Sequence, residues 1–376
     1  LGQDPNIGSR KIEHIDVAIN KPIKYPGLCE ELYNSIILIH QAFPGLDYRE
    51  IDLTTKFLGY RLNAPIMITG MTGGHPYTRD INAKLAELAS SFKIALGVGS
   101  QRSMLVTRNK EIIETYKVVR KIGDNIPVVG NIGINTLNDL KYSDVEYLVE
   151  QLEADALAIH LNPGQELIQP EGDTRFNSKV LRKVEEIIDQ LDVPVIIKEV
   201  GTGLSLETVK IFYSIGIRYF DVAGACGTNW MLVEMYRDRT TELKRDIASL
   251  LKNWGIPTPV SLIEARYVAP NAVIIASGGV WDGLRAVKNL VLGADLVGLA
   301  LPILRHILEK PSKAYEYLQK YIETMKSVMF LIGARNLDDL RKKPIVILEP
   351  LRAYVEQRGI NIKTYVEHIR KGGKLK

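Results

Sequence analysis

Eight short apolar runs rich in β-branched residues punctuate the chain: "PIMIT" near 66, "IALGV" near 95, "PVVGN" near 127, "ALAIH" near 156, "VIIK" near 195, "YFDVA" near 219, "AVIIAS" near 273 and "LVGLA" near 296. Between them lie stretches such as "INAKLAELASSF", "DVEYLVEQLE", "VLRKVEEIIDQL", "LETVKIFYSIG" and "LRAVKNLVLGA", whose apolar residues recur at helical spacing. Continuous apolar runs suit strands covered on both faces, and amphipathic helices suit the covering layer. Strand then helix, eight times over, predicts an α/β fold of the (β/α)8 TIM-barrel type. A doubly wound open sheet shares this alternation and is the rival architecture. The widest step, from the run at 219 to the run at 273, places an insertion at about 229–257. Its "RDRTTELKRD" reads as a solvated, mobile stretch. The barrel is expected over about 65–332, with an N-terminal extension over about 1–64 and a C-terminal one over about 333–376 that ends in "RKGGKLK". No low-complexity linker divides the chain, so 1–376 reads as one domain.

Composition narrows the partners. With 46% hydrophobic and 24% charged residues the chain can bury a full core, and a net charge of +4 is mild. No segment joins dense Lys/Arg to stacking aromatics, so nucleic acid is not an expected partner, whereas small anions are. The two cysteines, Cys29 and Cys226, lie far apart and support neither a disulfide framework nor a CxxC site; a reducing cytoplasm is the simplest setting. The opening segment lacks an apolar signal region, and the longest apolar run, "LVGLALPIL", is too short to span a bilayer. A cytosolic protein with no membrane partner is expected.

In a barrel of this kind the chemistry sits just beyond the strand C-termini. Those positions hold Thr69 to Gly74, Gly97 to Arg102, Asn131, then His160, Asn162, Gln165 and Glu166, then Lys198 and Glu199, then Gly224 to Thr228, "SGGV" and Ala300-Leu301. Glycines after the seventh strand suit a phosphate, because backbone N–H groups must approach its oxygens with no Cβ in the way. Lys198 ends a buried strand; it could be a snorkelling lysine, a Schiff-base nucleophile, or a cation beside the anionic edge of a flavin. The small residues Gly70 to Gly74 favour the flavin, and neither G-x-G-x-x-G after a strand nor a P-loop occurs.

"SRKIEHI" near the start, "MTGG" at 71–74, "GVGSQR" at 97–102, "HLNPGQE" at 160–166, "IIKEVGTGLS" at 196–205 and "GTNW" at 227–230, in this order and spacing, resemble the type 2 isopentenyl-diphosphate isomerases, from about Arg10 to the end of the chain. The resemblance implies an FMN-dependent, homo-oligomeric barrel enzyme that interconverts isopentenyl and dimethylallyl diphosphate. It also implies Mg²⁺ and a flavin kept reduced by NADPH or another reductant. Carried over residue by residue, FMN contacts are implied for Gly70, Met71, Thr72, Ser100, Asn131, Lys198, Ala223, Thr228, Gly278, Gly279, Ala300 and Leu301. Substrate contacts are implied for Arg10, Lys11, His14, Ser100, Gln101, Arg102, His160, Asn162 and Gln165, with His160 and Asn162 as donors to the diphosphate, and a metal ligand for Glu166. Catalytic roles fall on Gln165 and on Glu234, a carboxylate of a proton relay. If the segment around Arg10 is helical, His14 shares its face.

Two positions depart from that pattern. Ala223 stands where a Ser or Thr is usual, and Trp281 stands after Gly278-Gly279-Val280 where an Arg is frequent, so one hydroxyl and one cation are missing from the expected FMN phosphate end. His40, His75, His306 and His368 show no metal spacing and receive no role. Rival functions are an FMN barrel oxidoreductase of the hydroxy-acid oxidase type, a Schiff-base lyase using Lys198, and a non-catalytic flavin or phosphate binder.

Overall fold

The computed structural model describes residues 7–371; the first residues of the chain and most of the "RKGGKLK" tail lie outside them. Eight parallel strands, β1 (Ile66–Ile68), β2 (Ala95–Gly97), β3 (Val128–Gly133), β4 (Ala156–Leu161), β5 (Val195–Glu199), β6 (Tyr219–Asp221), β7 (Val273–Ala276) and β8 (Leu296–Leu299), close into a barrel. Pairing of β8 back onto β1, Val297 opposite Ile66, excludes the open sheet. Every apolar run is a strand, and the amphipathic stretches between them are helices. The first, Pro76–Phe92, begins earlier than its periodicity suggests, because His75 caps it and Pro76 fits its first turn.

Register decides which side chains meet at the mouth. His160 lies opposite Gly133 and Lys198, and Lys198 opposite Asp221. Below them the barrel is filled by Met67, Ala95, Val129, Ala156, Ala158, Ile196, Ile275 and Leu296, and the far end is plugged by Phe57 and Leu62 of a hairpin formed by Thr55–Phe57 and Tyr60–Leu62. Small residues inside leave room for that plug; truncating Phe57 to Ala would cost about 3–5 kcal/mol.

The extensions meet outside the barrel, where Ile36–Leu38 pairs antiparallel with Ile345–Ile347. Two expectations are corrected here. The insertion is ordered into helices Trp230–Met235 and Glu242–Leu250; most of "RDRTTELKRD" is solvated as expected, but Arg237 at its start is only 3% exposed because Glu13, Glu171 and Glu234 surround its guanidinium. The cysteines are not separate: Cys29 and Cys226 form a disulfide with Cα atoms 5.4 Å apart, since folding carries the N-terminal extension across the loop after β6. Among the described residues no helix is long and apolar enough to cross a membrane.

Candidate active site

A cavity of about 560 Å³ opens at the strand C-termini. One wall is backbone-rich. Gly70 follows β1 so closely packed on the next strand that a Cβ there would lie 2.1 Å from the Val98 carbonyl oxygen, and Met71 and Thr72 continue this wall. Gly278 and Gly279, at φ of 95° and 75°, turn the chain after β7 in the left-handed region open to glycine. Ala300 caps the helix Leu301–Glu309 without a side-chain bond, so the start of this helix, which borders the cavity, has first-turn N–H groups without a capping side chain. Ser100, Asn131, Lys198, Ala223, Thr228 and Leu301 also line the space.

The opposite wall is charged. The helix Ile7–Asn20 presents Arg10, Lys11 and His14 to the cavity, as their helical spacing predicts, beside Arg102, His160, Asn162, Gln165 and Glu166. Glu13 anchors this helix by accepting from Arg237 Nε at 2.8 Å and from the Asp238 amide at 2.9 Å. Asn162 donates to Glu166 Oε1 at 2.9 Å and to Gln165 Oε1 at 3.3 Å, and Gln165 Nε2 donates to Glu234 Oε1 at 2.7 Å. Glu234 is fully buried behind the wall, where its carboxylate also meets His14 Nε2 at 2.9 Å and Arg237 Nη1 at 2.9 Å.

Burial and charge set the protonation states. Burial opposes ionisation of Glu234, yet attraction to His14 and hydrogen bonds from His14, Gln165 and Arg237 prevail and hold its carboxyl at about 2. Lys11, half-buried beside Arg10, is pushed down to about 7 by desolvation and by that neighbouring cation. Burial, then Lys198 and Lys11, lower His160 to about 3. Desolvation raises Asp221 at the barrel floor, against the pull of Lys198.

One implied site residue is not brought to the cavity. Gln101 is fully buried and points into the β2–β3 side: its Nε2 donates to Leu148 O at 3.0 Å and its Oε1 accepts from the Asn131 amide at 2.9 Å. It therefore braces Asn131 instead of facing a substrate. Conversely, Lys24, Trp230, Arg305, His306 and Tyr317 line the space. None stands directly at a strand end. Lys24 comes from the N-terminal extension and Tyr317 from the helix Pro311–Leu331, so the strand-end rule could not find them. His306 needed only its position one turn into the helix after β8.

The lining suits FMN. Thr72 Oγ1, Arg102 Nε, Asn162 Oδ1 and His306 Nδ1 are buried along it with no partner among the described residues, a condition costing about 1–3 kcal/mol each that a bound polar molecule relieves. The glycine turn and helix start offer a phosphate cradle, and Lys198, whose Nζ donates to Glu199 O at 2.6 Å, a cation at the floor. For a metal the donor set is sparse. No group of three or more His, Cys, Asp or Glu that could hold a metal occurs among the described residues, and Glu166 is the carboxylate that reaches the cavity. Its Oε2 already accepts from the Asp173 amide at 2.7 Å, so a hard cation here would need substrate oxygens and water besides.

Residues 156–347 match the FMN-dependent dehydrogenase family. The chain is 41% identical to an isopentenyl-diphosphate delta-isomerase of Sulfurisphaera tokodaii, covering 97% of this chain and 98% of that one. A relative of the same name from Pyrococcus abyssi is 42% identical over 95% of this chain and 96% of its own. The chain belongs to the isopentenyl-diphosphate delta-isomerase family. Members of this family share with it nearly their whole length; a Metallosphaera sedula isomerase, 38% identical, covers 97% of this chain and 99% of its own. Solved structures of remoter proteins show the fold alone. A flavocytochrome b2 variant with sulfite bound superposes with a TM-score of 0.64 at 15% identity, covering 91% of this chain and 84% of that one. A mandelate oxidase variant gives 0.61 at 12% identity, covering 89% and 95%.

Proposed function

We propose that this isomerase-family chain, acting as one FMN-binding barrel domain, interconverts isopentenyl and dimethylallyl diphosphate by adding a proton to one carbon and removing one from another. The observation that carries the reading is the chain Asn162–Gln165–Glu234–His14, which runs from the cavity to a buried, ionised carboxylate. Protonating the alkene creates a tertiary carbocation, which a bare carboxylate at contact would trap. Here neutral Gln165 faces the cavity, and ionised Glu234 stands behind it as the electrostatic partner that orients Gln165 and His14. Reduced FMN, when bound, supplies an electron-rich surface and proton-transfer chemistry beside the alkene.

The diphosphate end is served by Arg10, Lys11 and Arg102, whose charge-assisted contacts contribute about 1.5–3 kcal/mol each. Glu166 would hold Mg²⁺ together with phosphate oxygens and water. NADPH or another two-electron donor would keep the flavin reduced, and a cytosolic setting is part of the same proposal. Homo-oligomers belong to the same proposal, with the exposed Leu243, Leu250 and Trp254 of the insertion offering apolar surface.

Turnover stoichiometry tests the reading. The oxidised protein should be idle with isopentenyl diphosphate, and dithionite or NADPH should start isomerisation with many products formed per reductant oxidised. One product per reductant would move the protein to the oxidoreductases. Chelation of Mg²⁺ should stop the reduced enzyme, and Glu166→Gln should raise the Mg²⁺ concentration it needs.

A further inference from the structure

We infer that Lys24, seated on Trp281, is the cation that holds the FMN phosphate at the glycine cradle; the assignment rests on the FMN reading above. The loop after β7 reads Gly278-Gly279-Val280-Trp281 and carries no positive charge. Backbone N–H groups and a helix start attract a phosphate dianion but neutralise only part of it. A full charge has to come from elsewhere in the fold.

It comes from the N-terminal extension. Residues 23–25 run extended and antiparallel along the loop after β6 through one β-bridge: Lys24 pairs with Thr228, the Asn229 amide donates to Ile23 O at 2.8 Å, and the Tyr25 amide donates to Gly227 O at 3.3 Å. Gly227 is packed directly on the cradle, for a Cβ on it would lie 2.6 Å from the Gly279 nitrogen. The segment is held at both ends. Ile23 is fully buried among Val17, Leu232 and Leu301, and five residues beyond Lys24 the chain is tied to Cys226 by the disulfide of Cys29. Alternation along a strand then turns Lys24 away from buried Ile23, and its side chain lines the cavity rim.

Trp281 fixes where that charge hovers. Lys24 Nζ lies 4.5 Å from the centroid of the indole, and the Arg285 guanidinium lies 4.8 Å from the same ring. Arg285 is engaged, donating to Gly279 O at 2.9 Å and pairing with Glu30. Lys24 is exposed and has no carboxylate partner among the described residues, so its charge can swing to an anion without breaking an ion pair. The indole thus serves as a platform that keeps an ammonium over the cradle in place of a cation on the loop itself. Tyr317 secures the platform by donating to Trp281 O at 2.5 Å.

Comparing FMN with riboflavin, which has the same ring and no phosphate, isolates the interaction. Flavin-free protein is titrated with each by flavin fluorescence, for wild type, Lys24→Ala and Lys24→Arg. Lys24→Ala should raise the FMN Kd roughly 10-fold or more, leave the riboflavin Kd unchanged, and make FMN binding less sensitive to salt. Lys24→Arg should keep most of the FMN affinity. Equal weakening for both flavins would make residues 23–25 merely structural and overturn the assignment, as would unchanged FMN binding in Lys24→Ala. Wild-type protein that binds neither flavin would overturn the cofactor reading and this assignment with it.

Discussion

His160 Nδ1 lies 2.7 Å from Asn131 Oδ1, and this pair decides what the imidazole shows to the cavity. Asn131 Nδ2 donates to the Val98 carbonyl at 3.1 Å, so its Oδ1 faces His160 and can only accept. His160 must therefore carry its proton on Nδ1. With its pKa lowered to about 3 the ring is neutral, and Nε2 offers a lone pair. As it stands the residue is an acceptor, not the diphosphate donor that the resemblance implied.

A phosphate oxygen can approach that lone pair only with a proton between them. Binding isopentenyl diphosphate should therefore be accompanied by proton uptake at about pH 6, where the second phosphate ionisation, with a pKa near 6, is half complete and Lys11 is already mostly charged. Calorimetry in buffers of different ionisation enthalpy reads the uptake. His160→Asn should lower it, and an unchanged uptake would place the diphosphate away from His160.

Lys11 gives a second proton-linked term with a defined sign. Its pKa is lowered to about 7, so the free enzyme carries the cation below that pH and loses it as pH rises through about 7. A bound diphosphate favours the charged form. kcat/KM should accordingly fall above about pH 7 while kcat changes less, and Lys11→Arg, which does not titrate in this range, should flatten that limb. A wild-type limb that survives the substitution would assign it to another group.

Much of this was legible before folding. The eight apolar runs marked the strands because parallel barrel strands are covered on both faces, and the strand-end rule then found Gly70, Asn131, His160, Lys198 and Gly278. What stayed hidden depends on long-range placement. Neither the charge of "RDRTTELKRD" nor its spacing says that Arg237 will be buried by Glu13, far away in the chain. Gln101 sits between two site residues, yet a strand-end turn aims it inward to brace Asn131. The spacing of Cys29 and Cys226 likewise says nothing of the crossing that joins them.

Glu234 is predicted to matter for turnover rather than for binding. Glu234→Gln keeps the shape but removes the charge that both His14 and Gln165 address, and leaves Arg237 with Glu13 and Glu171. Without that charge Gln165 and His14 lose their orientation, and positioned proton transfer typically contributes about 10²- to 10⁴-fold. The expected outcome is a kcat lowered by at least roughly 10²-fold with FMN affinity and KM little changed. A comparable loss of FMN affinity, read by flavin fluorescence, would show that the carboxylate only holds the fold.

The Cys29–Cys226 bond ties the N-terminal extension, which carries Arg10, Lys11, His14 and Lys24, to the loop that packs on the glycine cradle. Both cysteines are buried, so a solution thiol reaches the bond only when the extension lifts. A native disulfide contributes about 2–4 kcal/mol, chiefly by restricting the unfolded chain. Cys29→Ser should lower the midpoint of thermal unfolding by several degrees while FMN binding at low temperature stays close to wild type, because Ile23 packing and the backbone bonds of 23–25 still place the segment. If instead the variant keeps its midpoint but binds FMN weakly, the bond serves the cofactor site directly and the packing of Ile23 is not enough to hold Lys24 there. Dithiothreitol should reproduce the Cys29→Ser midpoint in the wild type and shift nothing in the variant.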